Sequence, residues 1–496
     1  MQDRTGSAAM VVHPDYAAIK FKWDEIDDIL KGEWRVKERC YRGKKYLPPP
    51  NTEPTESENE KRYRDYVMRA VLYNATARTV DGMVGQVFSK PPVSDFPPTV
   101  DYLQKDPSGT GITLEQQAKR VLRDVLSTGR AGLWIDYPPV GDATVADIAD
   151  GYIRPTITSY HAADILNWRT IVVKAKIIYS FIMLRERCVI SDDGYSAYMG
   201  YRYRELRLGA NGEYMARLYT YGRSNQGLNV SGWVYPQDAD GNRLRQIPFT
   251  FVGIHDNDSD IDDPPLYDLC RLNYAHFRNS ADYEESVNMV GQPTPWMSGV
   301  DQNWVDTIFK GRIYLGSRGG IPLPSGGRAG LLQASPNMLA KEAMDQKELQ
   351  MVALGARLVQ EATVTKTATE VSNDKVTEVS TLAAAARNTS AAYQAAFEFC
   401  SLYSGKTDVA KFELSTDFDM ARMSSQDLLA LMTVWQGKGL TTGEFRDTLR
   451  RAGYATETLD KAIKEGVSKE PGGSEVSTST TEQQNPVDKR AAPAKN

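Results

Sequence analysis

One stretch, Pro264 to Ser404, limits most strongly what this chain can fold into. It reads as three long helices, interrupted once by a Gly/Pro-rich insert and once by a Thr-rich loop. The first helix is expected over 265–290, started by Pro264 and Pro265, since proline suits a first helical turn. Its apolar positions are Leu266, Leu269, Cys270, Tyr274, Phe277, Tyr283, Val287 and Met289. The insert covers 291–336. The second helix, 337–361, carries Met338, Leu339, Met344, Leu349, Met351, Val352, Leu358 and Val359, and would be roughly 36 Å long at ~1.5 Å per residue. The polar loop 362–375 follows. The third helix, 376–404, repeats at gaps of three and four through Val376, Val379, Leu382, Ala386, Tyr393, Phe397, Cys400 and Tyr403, which marks an amphipathic helix. Such an order describes a helical hairpin with a small domain at its tip and a loop between two helices, a machine part rather than an active site.

The chain has 496 residues, too many for one core, so several domains are expected. Its net charge of −5 offers no general basic surface to nucleic acid. Cys40, Cys188, Cys270 and Cys400 fit neither zinc spacing nor a small disulfide framework. Cys270 and Cys400 fall on apolar helix faces, as buried free thiols of a reducing compartment would. The N-terminus lacks a signal pattern, and no run of 18 apolar residues supplies a membrane span.

Residues 1–15 are polar or small and are expected to be poorly ordered. A short helix is read over 16–31 and an extended linker over Tyr46 to Pro50. A single long helix is expected from Glu60 to Phe88, stopped by Pro91 and Pro92, with Gly82 and Gly85 admitting another backbone. Leu114 to Ser127 reads as a helix closed by Gly129. The period then shortens: strands are expected at 133–135, 177–184, 198–208, 214–221 and 247–252, with turns at Asn211-Gly212 and Asp240-Gly241. This makes an antiparallel α+β region. A strand returns within 409–418, short helices follow at 424–436, 442–452 and 456–464, and the Ser/Thr/Gln-rich tail 466–496 is expected to be disordered.

Motifs that carry chemistry fail on inspection. Asp256 onward resembles the start of a calcium loop, but Ile261 stands where glycine is needed and Tyr267 where a bidentate Glu is needed. The better reading is a solvated acidic turn, with Asp262 and Asp263 favouring the following helix N-terminus. Gly405-Lys406-Thr407 lacks the upstream glycine of a phosphate loop and ends a helix. His13, His161, His255 and His276 form no metal pair, and His276 reads as a core or interface histidine. Arg202, Arg204 and Arg207 among aromatic residues read as cross-strand pairs rather than a base-stacking surface. No catalytic residue, metal ligand or cofactor is assigned.

The order of segments over 45–465 resembles the tailed-bacteriophage portal proteins, and within them a portal-like phage family long known as a domain of unknown function. The resemblance is carried by Tyr46-Leu47-Pro48, by Tyr73 to Gly85, by Phe88 to Pro92 and by Gly132 to Tyr137. It continues through Ile165 to Arg169, Leu272 to Arg278, Ser280 to Glu284, Gly355 to Leu358 and Thr367 to Glu370. These are apolar-plus-turn patterns, specific through their order and spacing rather than singly.

The resemblance implies a multidomain α+β subunit that assembles as a ring. It has a flexible N-terminus (1–15), a wing of helices and antiparallel sheet (16–264), stem helices at 265–290 and 337–361, a clip at 291–336 and a tunnel loop at 362–375. A long helix returning to the wing (376–423), a short crown (424–465) and the tail complete it. No long C-terminal helical barrel follows, which leaves the role of such a barrel unsupported. In this frame Thr363, Thr365, Lys366, Thr367 and Thr369 face a DNA channel, and Glu342, Asp345 and Glu348 line it as a low-friction acidic wall. The implied partners are about eleven further copies of the chain, the terminase large subunit, a head–tail adaptor, the major capsid and scaffolding proteins and the double-stranded DNA in transit, with no membrane. The implied place is the capsid's portal vertex, after synthesis in the host bacterial cytoplasm. Two other readings stay open: a different head–tail connector or adaptor ring, and a DNA-processing enzyme such as a terminase or nuclease subunit.

Overall fold

A computed structural model describes residues 10–50, 53–137, 154–221, 228–238, 240–291, 294–309, 322–332, 338–359, 380–405, 409–416, 418, 425–436, 440–441, 443–445 and 449. The chain divides into two units, 1–418 and 419–496. The Thr-rich loop, Val376, Val379, the 456–464 helix and the 466–496 tail all lie outside the described residues.

The first unit mixes helices and antiparallel sheets. Its N-terminal helices are α1 (Pro14–Leu30), α2 (Glu33–Gly43), α3 (Glu56–Arg69) and α4 (Ala75–Val87), followed by the short strand β1 (Val93–Asp95) and α5 (Leu114–Thr128). The entry to α1 is better fixed than its composition indicated. The His13 N–H donates to the Leu166 carbonyl at 2.9 Å, and the His13 ring stacks on Trp168 at 4.1 Å. Helix α2 was not expected. Nor is 46–50 a free linker: Leu47 is buried, and Tyr46 stacks on Tyr274 at 4.0 Å.

The single helix expected over 60–88 is two helices. The chain leaves α3 at Ala70 (ψ 139°) and restarts where the Asn74 side chain accepts from the Ala77 N–H at 3.1 Å. Helical periodicity runs through the break because Val67, Ala70, Leu72 and Val80 are all buried. The interrupted backbone is satisfied by distant side chains: Ser280 Oγ accepts from Val71 N and donates to Val71 O, and Glu33 accepts from Leu72 N. Packing has overridden propensity here. Among the described residues nothing lies within 4 Å of a Cβ placed at Gly82 or Gly85, so, against expectation, none of this chain's described backbone packs closely there.

Helix α5 begins at a reciprocal capping box. Thr113 Oγ1 accepts from Gln116 N–H, and Gln116 Oε1 accepts from Thr113 N–H. It ends at Gly129 (φ 77°), where a side chain would strike the Asp262 carbonyl at 2.5 Å. The chain then enters β2 (Arg130–Asp136), the middle strand of a three-stranded sheet with β3 (Thr156–His161) and β9 (Phe249–Gly253). Leu133 stands between Ser159 and Thr250 in that register. A five-stranded antiparallel sheet runs in the order β4 (Ile165–Val173), β5 (Lys176–Asp192), β6 (Ala197–Leu208), β7 (Tyr214–Tyr221), β8 (Leu228–Val230). Asn211-Gly212 makes the expected β6–β7 turn, with Gly212 at φ 77°.

Three long helices follow as expected, with adjusted ends: α6 (Tyr267–Gly291), α7 (Leu339–Val359) and α8 (Thr381–Ser404). Ser380 caps α8 by accepting from Ala383 N–H, and Gly405 (φ 63°) ends it. Between α6 and α7 lie β10 (Thr294–Ser298) and β11 (Arg328–Leu332), paired antiparallel. The returning strand β12 (Lys411–Glu413) is shorter than expected and pairs with β1.

Two cores hold the unit. The larger one joins α5, α8 and both sheets, with Tyr393, Phe397 and Cys400 fully buried. The second clamps α6 among α1–α3 through Ile26, Ile29, Val36, Tyr63, Tyr274 and Phe277. In the second unit, α9 (Ser425–Gln436) is followed by Thr441, which forms a capping box with Glu444, and Trp435 stacks on Phe445 at 4.4 Å.

Candidate functional site

The hairpin of α6 and α7 is the element whose residues suggest a task. On α6 one face between Leu269 and Ala281 is buried, including Asn273, His276 and Ser280. Val287 and Met289, further along, are exposed. Helix α7 buries Met351 and half-buries Leu354 and Leu358, while Met338, Leu339, Leu349 and Val352 stand in solvent. The apolar periodicity of both helices therefore exceeds what the unit itself covers. At the hairpin's end Trp296 of β10 lies opposite Gly330 of β11, and a Cβ at 330 would meet the indole at 2.9 Å. Glycine there lets the ring lie across the strand. Leu331 and Leu332 beside it are exposed.

The three carboxylates expected to line a channel differ in their contacts. Glu342 and Asp345 are exposed on α7. Glu348 turns toward α6, its Oε1 3.3 Å from His276 Nε2. His276 is almost fully buried, lies 5.7 Å from the Tyr73 ring, and its Nδ1 has no hydrogen-bond partner. Burial holds its pKa below the ordinary value, outweighing the pull of Glu348. The neutral ring with Nε2 donating to Glu348 fits these contacts. Thr363, Thr365, Lys366, Thr367 and Thr369 lie outside the described residues.

Other charged groups are committed to structure. Arg202 and Arg204 both donate to Glu186, and Arg207 and Arg217 to Glu205, which also accepts from Tyr219. Burial raises the Glu186 pKa, but Arg204, Tyr160 and Arg202 outweigh it and hold the carboxyl below its usual range. Arg202 and Arg204 thus pair across strands, as the sequence indicated, while Arg207 bonds Glu205 of its own strand. Buried Asp28 accepts from Arg35, Arg39 and Tyr46 at 2.7–3.1 Å, and these bonds overcome burial to lower its pKa.

The acidic turn serves its own backbone. Asp262 Oδ2 accepts from the Ile254 and His255 amides at 2.7 and 3.0 Å, and Asp263 pairs with Lys22. Beneath the turn lies Arg130, which sequence reasoning missed. Its guanidinium is buried between Trp168 (4.1 Å) and Phe251 (3.6 Å), and it donates to the Ser259 carbonyl. Burial pushes its pKa down to about 9. The available signal was a lone charge opening the wholly buried run Arg130 to Ile135. Among the described residues no group of three or more His, Cys, Asp or Glu is placed to hold a metal, and no helix is long and apolar enough to cross a membrane.

A family model described as a domain of unknown function (DUF4055) matches residues 265–404, the span from the start of the hairpin to the end of α8. No curated protein matches the chain. Among solved structures, the chain is similar to one in the virion of a native gene transfer agent (GTA) particle, at 14% identity and a TM-score of 0.39, covering 76% of this chain and 89% of that one. It is also similar to a chain in the neck of a native GTA particle computed with C12 symmetry, at 13% identity and a TM-score of 0.38, covering 78% and 93%. A chain in the neck of an empty GTA particle computed with C6 symmetry gives 13% identity and a TM-score of 0.38, covering 75% and 88%.

Proposed function

We propose that this chain is a portal-type ring subunit of a phage-like particle. The ring sits at one capsid vertex, conducts double-stranded DNA during packaging and release, and seats the head–tail connection. One observation carries the reading: the succession α6, clip strands β10 and β11, α7 and the buried α8, in which a core-anchored hairpin projects apolar residues that its own unit leaves uncovered. A conduit should guide phosphates without holding them, because each neutralised phosphate adds salt-sensitive affinity to be broken at every step. Exposed Glu342 and Asp345 suit such a wall, and in this reading Lys366 and the neighbouring threonines touch the passing backbone. The chain supplies no catalysis; terminase brings the ATPase, and adaptor, capsid and scaffolding proteins are the other partners.

The test is native mass spectrometry with negative-stain imaging of the purified chain. A closed ring of roughly a dozen copies around a duplex-wide hole is expected. A chain that remains monomeric and, with magnesium, cleaves DNA or hydrolyses ATP would overturn the reading in favour of an enzyme.

A further inference from the structure

The tip of the β4–β5 hairpin exposes a cluster of β-branched apolar residues. Its register runs Ile171↔Ile178, Val172↔Ile177, Val173↔Lys176, while β6 reaches β5 only as far as Phe181↔Arg207. The tip is therefore a two-stranded ribbon beyond the sheet, with Val172 72% and Ile177 68% exposed. Its turn is Lys174-Ala175, both at positive φ (50° and 60°), in a two-residue turn that normally takes Asn and Gly. A strained, tight turn that presents β-branched residues to water is a feature to be explained by use. Lys174 and Lys176 flank the tip, and neither has a carboxylate within ion-pair distance among the described residues. No aromatic side chain stands from 170 to 178, so the tip lacks both a platform for stacking bases and an interfacial anchor for lipid.

A matching surface lies on the same chain. A groove between α1 and the acidic turn is lined by Ala18, Ile19 and Ile261, with Asp15, Asp260 and Asp263 along it. Lys22, which also lines the groove, is paired with Asp263. The groove is at the foot of the ribbon, where His13 stacks on Trp168 and Arg130 joins Trp168 to the turn through Ser259. The tip is six residues further along β4, roughly 20 Å away at ~3.3 Å per residue. A ribbon of paired strands does not fold back onto its own foot.

We infer that the Ile171–Ile178 ribbon tip docks into the acidic groove between α1 and the 260–263 turn of a neighbouring copy of this chain. The β-branched residues cover the apolar floor, and Lys174 and Lys176 meet Asp260 and Asp263. The contact joins two different faces, so it repeats head to tail and closes into a ring or runs on as a filament. For its biological setting it rests on the ring proposed above, and it names one joint of that ring.

The test is sedimentation velocity with native mass spectrometry on the full chain at low and high salt. Lys174→Glu/Lys176→Glu, Asp260→Lys/Asp263→Lys and Val172→Asp are each expected to weaken self-association about tenfold or more, with unchanged circular dichroism. Combining both charge reversals in one chain restores association, and wild-type association falls with salt. The inference is overturned if the reversals associate like wild type, if the combined variant is as weak as either reversal, or if wild type stays monomeric throughout. Rings indifferent to the reversals would remove this joint and leave the ring reading standing. Reversal and rescue in open filaments without a closed hole would keep the joint and remove the portal reading.

Discussion

Asn273→Ala tests the account of the broken helix between α3 and α4. The Asn273 side chain is fully buried. Its Oδ1 accepts from the Thr76 N–H and Oγ1 at 3.1 Å each, and its Nδ2 donates to the Tyr73 carbonyl at 2.6 Å. Alanine leaves the Thr76 N–H without its partner, while the Tyr73 carbonyl keeps the Ala75 N–H at 2.8 Å and the Thr76 hydroxyl can rotate to another. At ~1–3 kcal/mol for the orphaned N–H and ~1 kcal/mol for the lost bond to the carbonyl, the variant should lose roughly 2–4 kcal/mol. Urea unfolding should show a lower midpoint with an unchanged slope. Hydrogen exchange should locate the loss at the amides of 71–77. Ser280→Ala should act in the same place, because Ser280 Oγ both accepts from and donates to Val71. Asn279→Ala, on the same helix turn and only half-buried, should stay within about 0.5 kcal/mol. If Asn273→Ala were as stable as Asn279→Ala and exchange at 71–77 were unchanged, the break would owe nothing to α6.

Asp28→Ala removes the buried carboxylate that accepts from Arg35, Arg39 and Tyr46 and should cost about 2–3 kcal/mol by chemical denaturation, since Arg35 keeps Glu38 and Arg39 reaches solvent. Because its folded pKa lies below the unfolded value, the contribution of Asp28 is present above pH ~4 and is lost as pH falls further; Asp28→Asn should flatten that acid limb. His276 also has a lowered folded pKa, so stability should fall as pH drops from ~6.5, in a window that His276→Gln removes; wild-type melting that is flat from pH 7 to 5 would contradict this. Phe397→Ala should cost about 3–5 kcal/mol and Tyr393→Ala a similar amount, the latter also losing its contact with Gln117 at 3.2 Å. Deleting 362–375 should leave the number of copies in the assembly unchanged while impairing DNA packaging; loss of assembly would take that loop out of the bore.

Much of the fold is legible because its signals are local. The gaps of Leu382, Ala386, Tyr393 and Phe397 place four buried residues on one face of α8. Asn211-Gly212 names its own turn, and Gly129 its own helix end. The failures share one physical cause: the deciding partner lies far along the chain. Nothing near Ala70 announces that Asn273 and Ser280, some two hundred positions on, will satisfy a broken helix. The Lys174-Ala175 turn carries neither Gly nor Asn, so β4 and the reach of β5 escape local reading. Strands β10 and β11 were hidden for a related reason, since Trp296 and Gly330 acquire meaning only when paired.

The hairpin itself shows where periodicity stops being informative. A repeat of apolar residues says that a face is covered, not what covers it. Over the first half of α6 the cover is the same chain, through Ile29, Val36 and Tyr63. Beyond it Val287 and Met289 continue the pattern into solvent, as Leu349 and Val352 do on α7. Glu348 shows the converse. By spacing it belongs with Glu342 and Asp345, yet its Oε1 meets His276 on the facing helix, so we propose that the acidic wall rests on Glu342 and Asp345. Reversing those two carboxylates to lysine should therefore slow DNA passage through an assembled ring. Glu348→Gln should instead act through His276, by removing the carboxylate that favours its protonated form and so lowering its pKa further. Equal effects of all three substitutions on DNA passage, with no change in the pH dependence of stability for Glu348→Gln, would return Glu348 to the wall.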